Sequence, residues 1–491
     1  MGLTDADFAS TPFRRYAAAQ LDQINAKHSE LSARYRADLG AGFDLTVLAY
    51  QTRFSRDWFK LDRVNAAGSL VNSGKSGTGI SAILDDPLTN ANAFEVLEGN
   101  LGFVSADGAL LIKHNNRDYV AKGLQAIIGW QGEFAGVSHN FETSVRYHQD
   151  EQDRFQWWDR YKVDNGTLVL TGSDTPGTES NRIDQARALA FYAQDQIKAG
   201  KWTFVPGLRF ERVVLRRDEF GKNDPTRSGV NLAEKDNYIS AFVPGLGVIY
   251  QANANWSLFG GVHRGFSPPG PGKTNTDAET ARNWELGTRY ANGALRLEAT
   301  GFFNAFDNMI GTVTASTSGV GNIGDQFDAG KVDVMGLELS GEAELSDFTG
   351  TDFEMPVRFA YTYTRAEFQN SFASNFEPWG NVQAGDLVPY IPTHQFSGSL
   401  GVQTTRFGSE LAVSIIGDVR TQAGQGNIPS NNLVAGRTIL DASLWMQATA
   451  SIKLSLSARN LTDKVYAAAR RPAGLRPGLP RTFLFAVTFS Y

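Results

Sequence analysis

The chain has 491 residues, with 46 Lys and Arg against 52 Asp and Glu, a formal net charge of -6 and no cysteine. No uninterrupted apolar run is long enough for a membrane helix, which excludes a helical membrane protein, and the negative balance argues against nucleic acid as the main partner. Length alone favours several soluble domains unless the chain forms one large barrel.

The front of the chain, MGLTDADFASTPFRRYAAAQ, has no basic stretch followed by an apolar one and is not a signal peptide. Residues 1–27 read as a polar lead-in, an outer loop of a barrel whose first part is missing from the sequence. The first strand is expected over His28–Asp38, followed by a tight Gly40-Ala41-Gly42 turn and a strand over Phe43–Lys60. Leu61 to Leu110 is rich in Gly, Asn, Ser and Asp and reads as a loop. Strands then follow over Val120–Phe134 and Asn140–Asp150, with a turn near Gly136, and over Ala186–Lys198 and Trp202–Val214, with a turn at Gly200. Tyr238–Tyr250 pairs with Trp256–Arg264, and Trp284–Tyr290 with Leu295–Phe306 through Asn292-Gly293, a strong hairpin signal. Val334–Leu345, Pro356–Glu367, Gln395–Thr404, Glu410–Arg420, Leu440–Gln447, Ile452–Arg459 and Arg481–Tyr491 complete the series.

These strands share one pattern. In the last, Phe483, Phe485, Val487, Phe489 and Tyr491 fall on one parity and smaller, more polar residues on the other. Successive side chains of a strand point to opposite faces, so one face is a wide apolar band. In Ile452–Arg459 and Trp202–Glu211 the second face carries Lys453, Arg459, Arg209 and Glu211. A dry sandwich core would not hold such charges unpaired, whereas a wet lumen does. Short turns alternate with long loops, as in an outer-membrane barrel with its turns in the periplasm and its loops outside. The fold class is therefore all-β, a transmembrane antiparallel β-barrel over residues 28–491 with about 17–18 strands present. Such barrels close on an even number, so the first strand runs downward and at least one upward strand precedes it.

Several segments carry a resemblance. They include FRRYAAAQLDQI (Phe13–Ile24), RFSRDWFKLD (Arg53–Asp62), KHNNRDYVAKGLQ (Lys113–Gln125), VRYHQDEQDRFQ (Val145–Gln156), GGVHRGFSPP (Gly260–Pro269), NWELGTRY (Asn283–Tyr290), VMGLELSGEAEL (Val334–Leu345) and ARNLTDKVYAAARRPAGLRPGLPRTF (Ala458–Phe483). Over nearly its whole length the chain resembles TonB-dependent outer-membrane receptors, and its early motifs resemble the ferric dicitrate branch. The resemblance implies a barrel of about 22 strands with a plugged lumen in the bacterial outer membrane. It implies uptake of a ferric siderophore or ferric citrate, contact with outer-membrane lipid and lipopolysaccharide, and contact with TonB only through an N-terminal part that is not present here. It also implies a transport role rather than an enzymatic one.

No catalytic constellation is present. His28, His114, His139, His148, His263 and His394 are scattered, without an HExxH or His-x-His spacing. The glycines near Gly260–Gly272 meet prolines where a phosphate-binding helix would begin. No bound cofactor and no protein-ligated metal are expected, because the implied ligand is an Fe(III) chelate that brings its own iron. Recognising an anionic chelate calls for charge and planar donors, which Arg supplies. The candidates are Arg117, Arg154 and Arg160 with Trp157 and Trp158 in long loops, and Arg470, Arg471 and Arg476 in the last loop, with Arg14 and Arg15 in the lead-in. Solvated loop charges, or contacts to lipid phosphates, are the plainer account of each. Asp150, Glu151, Asp153 and Asp159 would pair with some of them. Trp58, Tyr147, Trp202, Tyr250, Trp256, Tyr290 and Tyr491 read as girdle residues at the membrane interface. Two competing functions remain open at this stage. One is a plugless passive pore or a non-functional fragment; the other is a soluble secreted glycan-binding β-protein.

Overall fold

The computed structural model describes residues 1–273, 277–312, 326–328, 330–471 and 473–490. Seventeen long antiparallel strands form a single sheet. They are β1 (Gln23–Gly40), β2 (Phe43–Val64), β3 (Leu110–Phe134), β4 (Val137–Asp164), β5 (Ser180–Ala199) and β6 (Trp202–Glu219). They continue as β7 (Ala233–Gln251), β8 (Trp256–Ser267), β9 (Glu279–Ala291), β10 (Leu295–Asp307), β11 (Val332–Glu344) and β12 (Pro356–Phe368). The set ends with β13 (His394–Gln403), β14 (Phe407–Ile416), β15 (Arg437–Thr449), β16 (Ile452–Arg459) and β17 (Thr482–Phe489). Each strand pairs with its neighbours in chain order. Among the described residues, at the two ends, β1 pairs only with β2 and β17 only with β16.

The short connections are tight turns. Gly40, Ala41 and Gly42 all have positive φ, as do Ala135 and Gly136. At Gly42 a side chain is excluded twice over: φ is +82° and an added Cβ would lie 2.0 Å from the carbonyl oxygen of Gln131.

Alternation assigns the two faces. Leu124, Ile128, Val145, Tyr147, Leu189, Phe191, Trp202, Phe204, Leu208, Phe210, Leu246, Leu258, Val262, Trp284 and Leu286 all lie on one face and are exposed. So many large exposed apolar side chains on one continuous face mark a lipid-facing band. Near the short turns this face carries aromatic pairs: Phe43 with Trp130 at 6.1 Å, Trp202 with Tyr250 at 4.6 Å, and Trp256 with Tyr290 at 4.9 Å between ring centroids. Tyr147 lies at the opposite edge of the band. Trp58 does not belong to the girdle: it faces Asn115 in register, on the inner face, with the Lys60 ammonium 4.2 Å above its ring. Tyr491 lies outside the described residues.

Three boundaries differ from the sequence reading. The first strand begins at Gln23. Strands β3 and β4 run well beyond the apolar band, so Arg117, Arg154, Trp157, Trp158 and Arg160 lie on strands and not in loops. The segment from 65 to 109 is not plain loop: it holds helices α2 (Ile80–Asp85) and α3 (Ala91–Glu98). The lead-in likewise carries α1 (Asp5–Ser10), capped by the Thr4 side chain accepting from the Asp7 N–H. Leu3, Tyr16, Ala18, Ile83, Val96 and Leu97 bury themselves against Phe59, Leu61, Ile112 and Val163, forming a cap on the outer face of β2–β4 at the loop end.

The cap also reaches the last loop. Leu3 and Leu475 exchange backbone hydrogen bonds of 2.8 Å each way, and Gly2 N–H donates to the Ala473 carbonyl at 2.7 Å. Residues from the two ends of the sheet are thus tied together at the loop end.

Candidate ligand-binding site on the inner face

One register line carries four arginines. Arg56 on β2 faces Arg117 on β3, Arg117 faces Arg154 on β4, and Arg154 faces Arg182 on β5. Side chains directly opposite across a pair share a face, and this is the inner one. The next partner in line is Glu219 on β6. Like charges directly opposite destabilise a sheet, so a row of four needs an account.

Polar neighbours hold the row in shape. Arg117 Nε donates to Asn115 Oδ1 at 2.9 Å and Nη1 to the Tyr119 hydroxyl at 3.4 Å. Arg154 Nε donates to Gln152 Oε1 at 2.6 Å. Arg182 Nε lies 3.3 Å from Asp184 Oδ2, but Asp184 is shared with Arg217, whose Nε donates to Oδ1 at 2.5 Å. Glu179, also nearby, pairs with Lys113 at 2.8 Å. The named cations therefore outnumber the named carboxylates.

The electrostatics follow from this. Arg117 and Arg154 are each 6% exposed. The row lies beyond the apolar band, outside the membrane-spanning segments. Burial, reinforced by Arg182 and Arg117, pushes Arg154 down to about 9. Burial also lowers Arg182, with Arg217 adding to it, and lowers Arg117 despite Tyr119. Burial alone would raise the Tyr119 phenol, but Arg117 and Arg56 outweigh it and lower it. Burial is the main cause for the three arginines, and neighbouring guanidinium groups add to it.

The remaining sequence candidates fall elsewhere. Arg160 is 1% exposed and held by Asp174 through Nε at 2.7 Å and Nη2 at 2.9 Å, with Nη1 on Ser69 Oγ at 2.5 Å. It anchors the loop end of β4. Trp158 is buried beside it and donates from its indole to Asp62 at 3.0 Å. Trp157 points to the opposite face and stacks on His114 at 4.2 Å. Arg470 binds Asp5 at 2.8 Å, and Arg471 binds Asp85 at 3.1 Å and Glu377 at 2.6 Å, so both tie the last loop to the rest of the chain. The Arg476 Nε is buried with no hydrogen-bond partner among the described residues. Arg14 binds Asp7 at 2.7 Å, and Arg15 donates to the Arg14 carbonyl. Of the acidic residues expected to pair with these arginines, Asp153 instead takes Arg227 at 2.5 Å and Asp159 takes His114 at 3.1 Å. Among the described residues no group of three His, Asp or Glu side chains is placed to hold a metal ion.

A large antiparallel sheet with an apolar outer face and arginines on its inner face has the architecture of a membrane β-barrel. The chain belongs to the TonB-dependent receptor-like β-barrel family, whose model matches residues 3–461. That family resides in the outer membrane and consists of transport receptors, so the soluble secreted reading is overturned. Among curated proteins the chain is similar to the pesticin receptor of Yersinia enterocolitica, 28% identical over 233 residues covering 44% of this chain and 30% of that protein. It is also similar to the metal-pseudopaline receptor CntO of Pseudomonas aeruginosa, 26% identical over 364 residues covering 70% and 47%. The chain thus spans between about a third and half of these relatives' length. Among solved structures, the ferric citrate transporter FecA in its unliganded form aligns with a TM-score of 0.74 at 18% identity, over 99% of this chain and 65% of that one. The ferric-catecholate import receptor Fiu of E. coli K12, in its closed form, aligns with a TM-score of 0.70 at 16% identity, over 99% and 68%. These two likenesses establish the fold.

Proposed function

We propose that this chain is the barrel portion of a receptor that takes up an anionic Fe(III) chelate, ferric citrate or a similar carboxylate-bearing siderophore. Energy would come from TonB acting on a segment outside this chain. The observation that carries the reading is the line Arg56, Arg117, Arg154 and Arg182 on the inner face. Planar guanidinium groups bind carboxylates in pairs of parallel hydrogen bonds, and a buried, mutually repelling set gains most from doing so. The iron is cargo, and its ligands belong to the chelate.

The test is equilibrium binding of ferric citrate to the complete receptor in detergent, with Arg117→Gln and Arg154→Gln combined. Charged hydrogen bonds contribute roughly 1.5–3 kcal/mol each, so affinity for the double variant should fall about a hundredfold or more. Affinity for a neutral or cationic chelate should not fall. Unchanged ferric citrate affinity would remove the row from the site.

A further inference from the structure

The connection from β6 to β7, residues 220–232, folds back onto the outer face of β4 and β5, behind the arginine row. Alternation sets up the contact. Arg154 points inward, so Asp153 and Phe155 on either side of it point outward. Arg182 also points inward, so its neighbour Asn181, which faces Phe155 across the strand pair, points outward. The connection grips these three outward side chains.

Arg227 makes the grip. Its Nη1 and Nη2 donate to the two carboxylate oxygens of Asp153 at 2.8 and 2.5 Å. Its Nε donates to Asn181 Oδ1 at 2.7 Å. The guanidinium carbon lies 4.8 Å from the ring centre of Phe155 and 5.2 Å from that of Phe220. One planar fork thus spans β4 and β5 against two aromatic rings, which a lysine cannot reproduce. Arg227 holds φ at +54°, a conformation that a residue other than glycine keeps where its surroundings fix it.

The connection is built to deliver this side chain. Asp224, almost fully buried, accepts from the N–H groups of Ser228 and Gly229 at 2.9 Å each and so closes the turn around Arg227. Asn181 is 0% exposed. Its Nδ2 donates to the Asp224 carbonyl at 2.7 Å and to the Gly221 carbonyl at 3.3 Å, and its own carbonyl accepts from the Phe220 N–H at 3.0 Å. Phe220 directly follows β6, whose Glu219 faces Arg182. The clip therefore crosses β4, β5 and the end of β6 at the level of the row.

We infer that Arg227 is a positioning residue for the anion site: acting through Asp153, Phe155 and Asn181, it holds the backbones of β4 and β5 so that Arg154 and Arg182 stay in line. On the inner face the two arginines stand directly opposite and repel. On the outer face the clip ties the same two backbones one residue away from each. Binding side chains need such support, because a site that is loose by about 1 Å fails. The effect on affinity rests on the row being the ligand site, as proposed above; the effect on the strands does not.

The test uses the complete receptor in detergent with Arg227→Ala. Hydrogen exchange read by mass spectrometry follows residues 152–156 on β4 and 180–184 on β5, and ferric citrate binding is measured alongside. Both stretches should exchange faster, and affinity should fall roughly fivefold or more. Millimolar methylguanidinium, which matches the vacated pocket, should restore both and leave the parent unchanged. Arg227→Lys should not restore them. Heat-modifiable mobility on gels checks that the barrel is folded; if Arg227→Ala does not fold, Phe220→Ala, which removes one ring, carries the same expectation. Faster exchange confined to residues 220–232 overturns the inference. So does an unchanged affinity in a receptor whose affinity depends on the row. If Arg117→Gln with Arg154→Gln leaves ferric citrate affinity unchanged, the functional reading fails, and exchange of the two strand stretches alone decides the role of Arg227.

Discussion

An arginine in water stays charged at every pH a cell meets, and Arg154 departs from that rule. Buried and facing Arg117 and Arg182, its guanidinium is pushed down to about 9. The sign of the consequence is fixed. A depressed value means that the empty fold disfavours the charged form, while a bound carboxylate favours it. Carboxylates are fully ionised throughout this range, so the ligand does not titrate. Anion affinity should hold steady up to about pH 8 and fall as pH rises through about 9, with proton uptake on binding at pH 9. Isothermal titration in two buffers of different ionisation enthalpy measures that uptake, and Arg154→Gln should abolish it. A flat affinity from pH 7 to 10 would mean that Arg154 does not meet the ligand. Half of this row was legible in the sequence. The two-residue turn at Ala135-Gly136 pairs Phe134 with Val137, and counting outward from it puts Arg117 opposite Arg154. Arg182 and Arg56 were not legible, because their strands join the pair through long connections whose register no local signal sets. Arg160, by contrast, resembles a ligand residue in sequence, but Asp174, fourteen positions on, occupies its guanidinium.

At the scale of elements, alternation found the strands because a period of two persists through each apolar band. It failed at the loop end. There the apolar residues of β2–β4 face the cap instead of lipid, and α2 and α3 are six and eight residues long. Helices that short carry too few turns to show a 3.6-residue period, and isolated they would not be stable. Tertiary packing holds them: Ile83 and Leu97 are fully buried against the strands. Gly99 ends α3 at φ +58°, in contact with Ala17 and Val163, which brings the lead-in and β4 together at the helix end. Leu97→Ala should therefore cost the cap about 2–5 kcal/mol without disturbing the membrane strands. Limited proteolysis should show faster cleavage within residues 65–109, while heat-modifiable mobility stays that of the parent. Loss of both together would make the cap part of the barrel's own folding unit.

On the scale of the whole molecule, strand pairing orders both faces. The arginine row beyond the band follows direct cross-strand register, and the aromatic pairs follow the short turns. The nine tryptophans divide by face in a way that can be measured. Trp202, Trp256 and Trp284 are exposed on the lipid-facing side. Trp158 and Trp379 are buried, Trp58 faces inward beneath Lys60, and Trp445 lies under the Lys453 ammonium at 4.3 Å. Brominated acyl chains quench only indoles that touch them. In brominated phosphatidylcholine, Trp202→Phe, Trp256→Phe and Trp284→Phe should each reduce the quenchable part of the fluorescence, whereas Trp158→Phe and Trp379→Phe should leave it intact. Bromines near the headgroup should quench Trp202 and Trp256 more than bromines at the chain ends, because both sit beside short turns where the interfacial girdle lies. Trp284, at the opposite edge of the band just below Arg282, should show the same preference. Quenching of Trp158 in place of Trp202 would overturn the assignment of the two faces.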